Sequence, residues 1–463
     1  MINKLIQKIF GSSPKTRPSG KPVSLSKEDH GIDPRLLSNN AVRVVRILQN
    51  EGYDAFIVGG AVRDLLLGLK PKDFDVATNA TPEQVKRLFK RAFLIGRRFQ
   101  IVHVMFGQDL IEVTTFRGAS DKPAIKDEAG RLLRDNNFGT QSEDAARRDF
   151  TINAMYYNPA NQVLLDYHGG IRDLRNKTLR VIGNPEQRYR EDPVRMLRIV
   201  RFAAKLGFSI DKTTGAPIAA LAPLMNNVPS ARLFDEMLKL LMSGHSMSCL
   251  RELRARGLHQ GLLPLLDVAL EQPEAAHFIE ISLEKTDKRI RENKRISPGF
   301  LFATLLWTQV EEKWAQYRAR GEHPIPALVA ASSDVLDVQT EKLAIQRRIA
   351  TDMRDIWLLQ PRLERRTGKS PYRLLENERF RAAYDFMLIR CEAGELESEL
   401  GQWWTDFIDA PGDVRQEMID AQMKKAPAGN PVKKRSRRSG QRHRRKSSAK
   451  TASETKDIVE KTE

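Results

Sequence analysis

The chain has 463 residues, of which 41% are hydrophobic, so it is long enough for two to four domains with real cores. Its two cysteines, Cys249 and Cys391, argue against a disulfide framework and a cysteine-based zinc site, and they suit a reducing cytoplasm. The formal net charge of +18 indicates a polyanionic partner, most often nucleic acid, and 14 Lys and Arg against 4 Asp and Glu after residue 423 place +10 of it at the C-terminal end.

The N-terminal residues are predicted to lie outside any folded core. MINKLIQKIF is broken by Lys4 and Lys8, which favours a disordered tail over a signal peptide, and a basic amphipathic helix at the inner membrane is the alternative. Residues 11–37 are rich in Ser, Pro, Gly and charge and are predicted to form a linker or disordered arm. No apolar run approaches the roughly 20 residues that span a bilayer, so no transmembrane segment is expected, and the cysteine content favours a cytoplasmic protein.

The next segment alternates predicted helices and strands. We expect a helix from about Asn39 to Glu51, strands at 54–58 and 72–77, a helix after Thr81-Pro82, and a β-hairpin formed by 101–106 and 110–116. Residues 118–141 show little periodicity and are predicted to form a mobile loop.

After about residue 185 the hydrophobic pattern is helical. One stripe consists of Met196, Leu197, Val200, Ala203 and Ala204, and similar stripes recur to about residue 408. The sequence therefore predicts an α+β head of about 150 residues followed by an all-helical part. Residues 431–450 are rich in Lys and Arg, have no apolar face and are predicted to be disordered.

The stretch FIVGGAVRDLLLGLKPKDFDV, residues 56–76, combines two chemical features. Gly59 and Gly60 at the start of a helix let backbone N–H groups approach a phosphate. Asp73 and Asp75 alternate with Phe74 and Val76, so the acids are expected to face a cleft while the apolar residues fill the core. A triphosphate cradle beside two metal-binding carboxylates is the resulting hypothesis.

A third acid, Glu112, interrupts the apolar strand LIEVTTF. A neighbouring strand would bring it beside Asp73 and Asp75, where mutual repulsion calls for cations. Two Mg²⁺ ions bridged by carboxylates would neutralise the acids, activate an attacking hydroxyl and hold a triphosphate. A solvated edge or turn is the alternative for an isolated Asp-x-Asp.

Three further clusters are candidates for nucleotide contacts. Arg63 is a candidate phosphate ligand or a surface arginine, and Asp64 its intrahelical or capping partner. Arg147, Arg148 and Asp149 are candidates for phosphate and ribose contacts, with a solvated helix end as the alternative.

Asp192 and Arg195 are three residues apart on a helix that begins near Pro193. A carboxylate beside a guanidinium matches the amino group and ring nitrogen of adenine and of cytosine, and rejects uracil and guanine. Glu191 is placed to support Arg195. The alternative is a capping acid with an ordinary salt bridge. For the basic tail, the choice is between RNA phosphate contacts and simple solubility.

These motifs, in this order, resemble the bacterial poly(A) polymerase and tRNA CCA-adding family of class II nucleotidyltransferases. The segments that carry the resemblance are 58–68, 70–85, 111–117, 147–157 and 190–208. The resemblance implies a nucleotidyltransferase palm in a head at 38–180, a neck at 181–245, a helical body and tail at 246–425, a variable N-terminal arm at 1–37 and a disordered basic arm at 426–463.

The resemblance also implies roles for individual residues. Asp73, Asp75 and Glu112 would be the catalytic metal ligands, while Gly59, Gly60 and Arg63 would contact the triphosphate. Nucleotide contacts would come from Arg147, Arg148, Asp149, Glu191, Asp192 and Arg195.

Within the family, LIGRRFQIVHV at 94–104 and the Arg- and Lys-rich C-terminal arm favour the poly(A) polymerase branch, with Arg97 and Arg98 near the hairpin. The expected reaction is template-independent addition of AMP from ATP to RNA 3′ ends, in a monomer that acts with RNA-decay proteins on mRNA and small RNA. A tRNA CCA-adding enzyme and a noncatalytic RNA-binding protein are the alternatives.

Overall fold

A mixed β-sheet organises the N-terminal part of the computed structural model, which describes residues 21–96, 100–118, 125–126, 132–134, 137–259 and 272–425. In these residues the strands are β1 (Val23–Leu25), β2 (Ala55–Val58), β3 (Asp75–Thr78), β4 (Ala92–Ile95), β5 (Ile101–Phe106), β6 (Asp109–Thr115), β7 (Ile125–Lys126), β8 (Leu132–Arg134), β9 (Met155–Asn158), β10 (Val163–Asp166), β11 (Thr178–Leu179) and β12 (Ser209–Ile210).

The main sheet has the order β1-β10-β9-β2-β3-β6-β5-β4. Its neighbours pair antiparallel, except that β3 and β6 run parallel. The parallel pair arises because the chain leaves β3, reaches the far edge at β4 and returns through β5. Two small pairs, β7 with β8 and β11 with β12, lie outside this sheet.

Helices cover one face of the sheet. The head contains α1 (Lys27–His30), α2 (Asn39–Asn50), α3 (Gly60–Leu66), α4 (Pro82–Leu88), α5 (Gln141–Arg147) and α6 (Gly170–Arg175). Val44, Val45 and Leu48 of α2 are buried in one core with Val76 and Val113 of the sheet. Thr81 caps α4, as the sequence predicts, and Gln84 completes a capping box with it.

The opposite face is covered only in part by the elements that the structure describes. A small cluster of Val58, Ala77, Phe116, Ala145 and Tyr156 packs against β2, β3 and β9. On this same face of the sheet, large apolar side chains of β4 and β6 are exposed.

The rest of the compact unit is helical apart from β12, which is close to the expected all-helical part. The predicted neck, residues 181–245, contains α7 (Pro185–Glu191), α8 (Val194–Leu206), α9 (Lys212–Gly215), α10 (Ile218–Leu221) and α11 (Ser230–Leu241). Beyond it lie α12 (Ser246–Ala255), α13 (Pro273–Arg291), α14 (Pro298–Leu305), α15 (Trp307–Ala319), α16 (Pro324–Lys342), α17 (Arg347–Leu363), α18 (Ser370–Leu375), α19 (Phe380–Glu392) and α20 (Ser398–Asp409). One hydrophobic core runs from Phe150 to Ile389 and includes the predicted stripe of α8, with Ala204 partly buried at its edge. Helix α21 (Gly412–Lys425) belongs to a second unit.

The linker predicted over 11–37 is wrong for its described part, residues 21–37. Strand β1 pairs with β10 at the edge of the sheet, and His30 Nε2 lies 2.9 Å from the Gln162 carbonyl oxygen. A three-residue edge strand pairs through its main chain, so a polar composition does not prevent it.

Within the mobile loop predicted over 118–141, the described residues include the antiparallel pair of β7 and β8, and α5 begins at Gln141; the mobility of the loop stays a prediction. The N-terminal decapeptide, Arg97, Arg98 and the basic arm at 426–463 lie outside the described residues. In the helices that the structure describes, none combines the length and apolarity needed to cross a membrane.

Candidate active site

The three predicted acids lie at the centre of the head sheet. The parallel register of β3 and β6 pairs Asp75 with Glu112, and Asp73 lies two residues before β3. Phe74 and Val76 are buried, whereas Asp73 is exposed. The prediction that the apolar residues fill the core and that a neighbouring strand delivers Glu112 is confirmed, although β3 begins at Asp75 rather than at residue 72.

The electrostatics of this group favour a cation. Burial raises the pKa of the Asp75 carboxyl from 3.8 to about 6, and the charge on Glu112 adds to the rise. Arg148 opposes the shift, while Asp73 adds to it. Carboxylate oxygens are the donors that Mg²⁺ prefers, so these residues fit a divalent cation by their chemistry. Among the described residues, no group of three or more His, Cys, Asp or Glu side chains is arranged so that it could hold a metal ion. The three acids therefore lie side by side without enclosing a site.

The Gly59–Gly60 turn adjoins the acids. Gly59 has φ +73° and begins α3 directly after β2. A Cβ atom there would lie 3.5 Å from Arg148 Nη1 and 3.6 Å from Asp75 Oδ2. The backbone therefore runs close to a carboxylate and a guanidinium, at a φ that side-chain-bearing residues rarely adopt.

Arg63 is not the surface arginine of the alternative interpretation, while its contact with the triphosphate stays a prediction. It is 4% exposed, its Nη1 donates to Asn153 Oδ1 at 2.9 Å, and its guanidinium lies 5.2 Å from the Phe202 ring. Asp64 accepts from Arg63 Nε and Nη2, which confirms the intrahelical partner. The Arg63 guanidinium lies behind Gly60, 3.5 Å from the position that a Cβ atom would take there. Its contact with Phe202 links α3 to the neck.

The Arg147–Asp149 segment is tightly held rather than solvated, although an ordinary i,i+4 ion pair between Arg148 and Asp144 is present. Arg148 Nη2 donates to Asp144 Oδ2 at 3.1 Å, and its Nε donates to the Tyr156 hydroxyl at 3.1 Å. Arg147 Nη1 donates to the Gly118 carbonyl at 2.6 Å. Asp149 Oδ2 lies 2.6 Å from Arg198 Nη2 in the neck.

The prediction that Asp192 and Arg195 share one helix is wrong, because Asp192 caps the end of α7 in an extended conformation and α8 begins at Val194. The two side chains are held by separate partners. Asp192 Oδ2 accepts from Arg232 Nη2 of α11 at 2.7 Å. Arg195 Nη1 donates to Glu191 Oε2 at 3.2 Å and to the Arg188 carbonyl at 2.6 Å, so the predicted support from Glu191 is confirmed. The Asp192 carboxylate therefore pairs with a distant arginine rather than taking part in a local salt bridge.

Sequence reasoning missed Arg188, which joins neck to head. Its Nη2 donates to the carbonyls of Arg147 and Arg148, both at 2.7 Å, and its Nη1 donates to Glu191 Oε2 at 3.0 Å. Burial lowers the pKa of Arg188. Its i,i+3 spacing to Glu191 was the available signal, but the carbonyl contacts cross about 40 residues and leave no local pattern.

A cleft of about 800 Å³ opens beside the acids. Asp73, Asp75 and Glu112 line it together with Lys70 and Lys72. A second cavity of about 500 Å³ lies between α13, α17 and α19 and contains none of the predicted site residues. We assign the chemistry to the first, because a cleft must hold the reacting groups to be an active site.

Three segments of the chain match known protein families. Residues 55–180 match the "Poly A polymerase head domain", residues 207–270 the "Probable RNA and SrmB- binding site of polymerase A", and residues 320–446 the "Polymerase A arginine-rich C-terminus".

Whole-chain comparisons agree with these matches. The chain is 46% identical over 409 residues to Poly(A) polymerase I of Haemophilus influenzae, covering 86% of this chain and 90% of the relative. It is also 46% identical over 435 residues to Poly(A) polymerase I of Escherichia coli O6:H1, covering 90% and 93%. A crystal structure of the Bacillus stearothermophilus CCA-adding enzyme in complex with CTP superposes with a TM-score of 0.52 at 24% identity, covering 85% of this chain and 92% of that chain, which shows a shared fold.

Proposed function

The chain belongs to the poly(A) polymerase I family and is a polynucleotide adenylyltransferase, and from this premise we propose that it adds AMP from ATP to RNA 3′ ends without a template, releasing pyrophosphate. The observation that carries the proposal is the register of β3 and β6, which pairs Asp75 with Glu112 beside the Gly59–Gly60 turn. Attack by the RNA 3′-hydroxyl on the α-phosphate forms the new phosphodiester and expels pyrophosphate.

Asp73, Asp75 and Glu112 are the residues that would hold two Mg²⁺ ions. Such ions lower the pKa of an attacking hydroxyl and neutralise phosphate charge when bound. The glycine turn lets the triphosphate approach the backbone, and Arg148 adds a positive charge beside Asp75. Arg147 and Asp149 hold this segment in place against Gly118 and the neck, respectively.

Asp192 and Arg195 would read the base. The donor and acceptor order of this pair suits both adenine and cytosine, so the order alone does not select ATP over CTP. That selection needs a fixed distance between the pair and the sugar of the nucleotide. The contacts of Arg232 with Asp192 and of Glu191 with Arg195 support such fixed positions.

The same proposal includes a role for the enzyme in RNA decay in the cell. Tails added to mRNA and small RNA would promote their decay by 3′ exonucleases, with the enzyme acting as a monomer beside RNA-decay proteins. Both cysteines are free, which supports a reducing cytoplasmic location, and peripheral contact with the inner membrane would depend on the N-terminal segment. The domain limits at 38–180, 181–245 and 246–425 remain part of the proposal, with the head extended to include β1.

The first test replaces the acids. Asp73→Ala and Asp75→Ala should each lower AMP transfer at least about 1,000-fold, because each removes a metal ligand, while the fold is retained. Transfer is measured with Mg²⁺, a generic RNA and each nucleotide singly, and circular dichroism reports folding. Asp337→Ala on α16, an exposed acid in the helical part, is the matched control.

The products discriminate the alternatives. Long A tails support the proposal, whereas limited C and A addition to truncated tRNA identifies a CCA-adding enzyme. RNA retention without extension identifies a noncatalytic binder. Normal transfer by either acid variant contradicts the metal-ligand assignment.

A further inference from the structure

We propose that the open face of β4, β5 and β6 holds the 3′-terminal nucleotide of the RNA, with its base stacked on Phe93. This inference rests on the proposed function, since it supplies a binding place for the RNA end that the acids must activate.

The strand register forms a continuous row across this face. Asp75 pairs with Glu112, Glu112 with His103, and His103 with Phe93. His103 Nε2 lies 3.4 Å from Glu112 Oε1. Three strand spacings of about 4.8 Å each therefore separate the acid in β3 from the aromatic ring at the sheet edge, a distance that a nucleoside and its phosphate can bridge.

The far end of this row is apolar and exposed. Phe93 is 54% exposed, and Ile95 and Leu110 are 47% and 39% exposed on the same side of the sheet. Side chains on the other face of these strands, such as Val102 and Val113, are buried in one core with α2 and α4. An exposed aromatic and aliphatic surface on a strand platform is the kind of surface on which bases of single-stranded RNA stack.

The geometry of phosphoryl transfer assigns this side to the RNA. Gly59 and Arg148 lie on the β2 side of Asp75, and Arg188 joins the neck to that same side. With the triphosphate there, in-line displacement requires the attacking oxygen to approach from the side opposite the leaving pyrophosphate. That side is the Glu112 side, so the base attached to the attacking sugar is carried over His103 and Phe93.

The charge around the platform fits the same occupant. Lys90 and Arg91 are exposed immediately before β4, where they can meet phosphates of the preceding nucleotides. A protein partner seated on this face would contact Glu112 and obstruct the cleft, so continuity with the acids favours RNA.

The decisive variants are Phe93→Ala and Phe93→Trp. With a short oligoribonucleotide, Phe93→Ala should raise the KM for RNA about 10-fold and leave the KM for ATP unchanged, because stacking is lost only on the RNA side. Phe93→Trp should keep the wild-type KM for RNA, since it keeps a flat ring. Val338→Ala on α16, which removes a side chain of 46% exposure, is the matched control.

A binding assay separates this inference from the proposed function. A labelled RNA with a 3′-deoxy end is titrated onto the full chain without ATP, and a 3′-terminal 4-thiouridine is photo-crosslinked and mapped. Weaker binding by Phe93→Ala and a crosslink within 92–95 support the platform even if no nucleotide is added. The platform is overturned if Phe93→Ala leaves RNA binding unchanged, if the crosslink maps only elsewhere, or if Phe93→Trp does not keep wild-type binding. Any of these results leaves the proposal of AMP transfer intact.

Discussion

The acid group of the head and the base-reading pair of the neck are built in different ways. Asp75 and Glu112 meet because two adjacent strands are in register, and the main chain alone fixes their separation. Asp192 and Arg195 are neighbours in sequence, but their orientation depends on Arg232 and Glu191. The comparison teaches that the chemical step rests on backbone geometry, whereas base selection rests on side chains that single substitutions can release.

Of the effects that compare the two regions, the largest should be a pH-dependent change in the stability of the acid group. In the folded protein the pKa of Asp75 is about 6, above its ordinary 3.8, so the folded state binds the proton more tightly and loses stability as pH rises through 6. Without metal, Asp75→Asn should therefore stabilise the β3 region by about 3 kcal/mol at about pH 7 and have little effect at about pH 4.

Hydrogen exchange in peptides covering β3, with EDTA present, measures this difference, and peptides from α11 provide the internal control. Mg²⁺ should slow exchange in the wild-type protein and not in the variant. A stability difference that does not change with pH would show that the pKa of Asp75 is not raised in the folded protein.

A smaller effect, a loss of activity, is expected from a substitution where the head and the neck join. Arg188→Ala removes three charge-assisted hydrogen bonds between the head, Glu191 and the neck, and should lower kcat/KM for ATP about 30-fold. Arg190→Ala, two residues away on α7 and paired at the surface with Glu186, should change it less than about twofold. Equal values for the two variants would mean that the regions work independently.

The smallest effect should fall on selectivity alone. Arg232→Ala frees the Asp192 carboxylate, so the preference for ATP over CTP should fall about fivefold while kcat for ATP changes little. Single-nucleotide incorporation with each triphosphate measures the ratio, with Arg251→Ala, whose exposed partner is Glu280, as the control. An unchanged ratio would remove Arg232 from base selection.

The sequence predicted the features that depend on short spacings. The alternation of acids with Phe74 and Val76, the cap at Thr81 and the support of Arg195 by Glu191 all follow from neighbours within four residues. It also predicted the helical stripe of α8, because burial repeats with the helical period.

The remaining features depend on contacts that no local pattern encodes. Arg63 is buried by the neck helix that carries Phe202, and β1 is ordered by pairing with a strand about 140 residues away. Arg188 and Arg232 gain their roles through contacts across 40 residues, where a surface arginine and a positioning arginine look alike in sequence.

The parallel pairing of β3 and β6 also has a consequence for how the protein matures. Asp75 and Glu112 become neighbours only after α4, β4 and β5 have been laid down and the chain has returned from the sheet edge. Such a non-local closure comes late in folding. A partly folded head therefore lacks the full set of carboxylates, and the affinity for divalent ions should report completed assembly of the sheet.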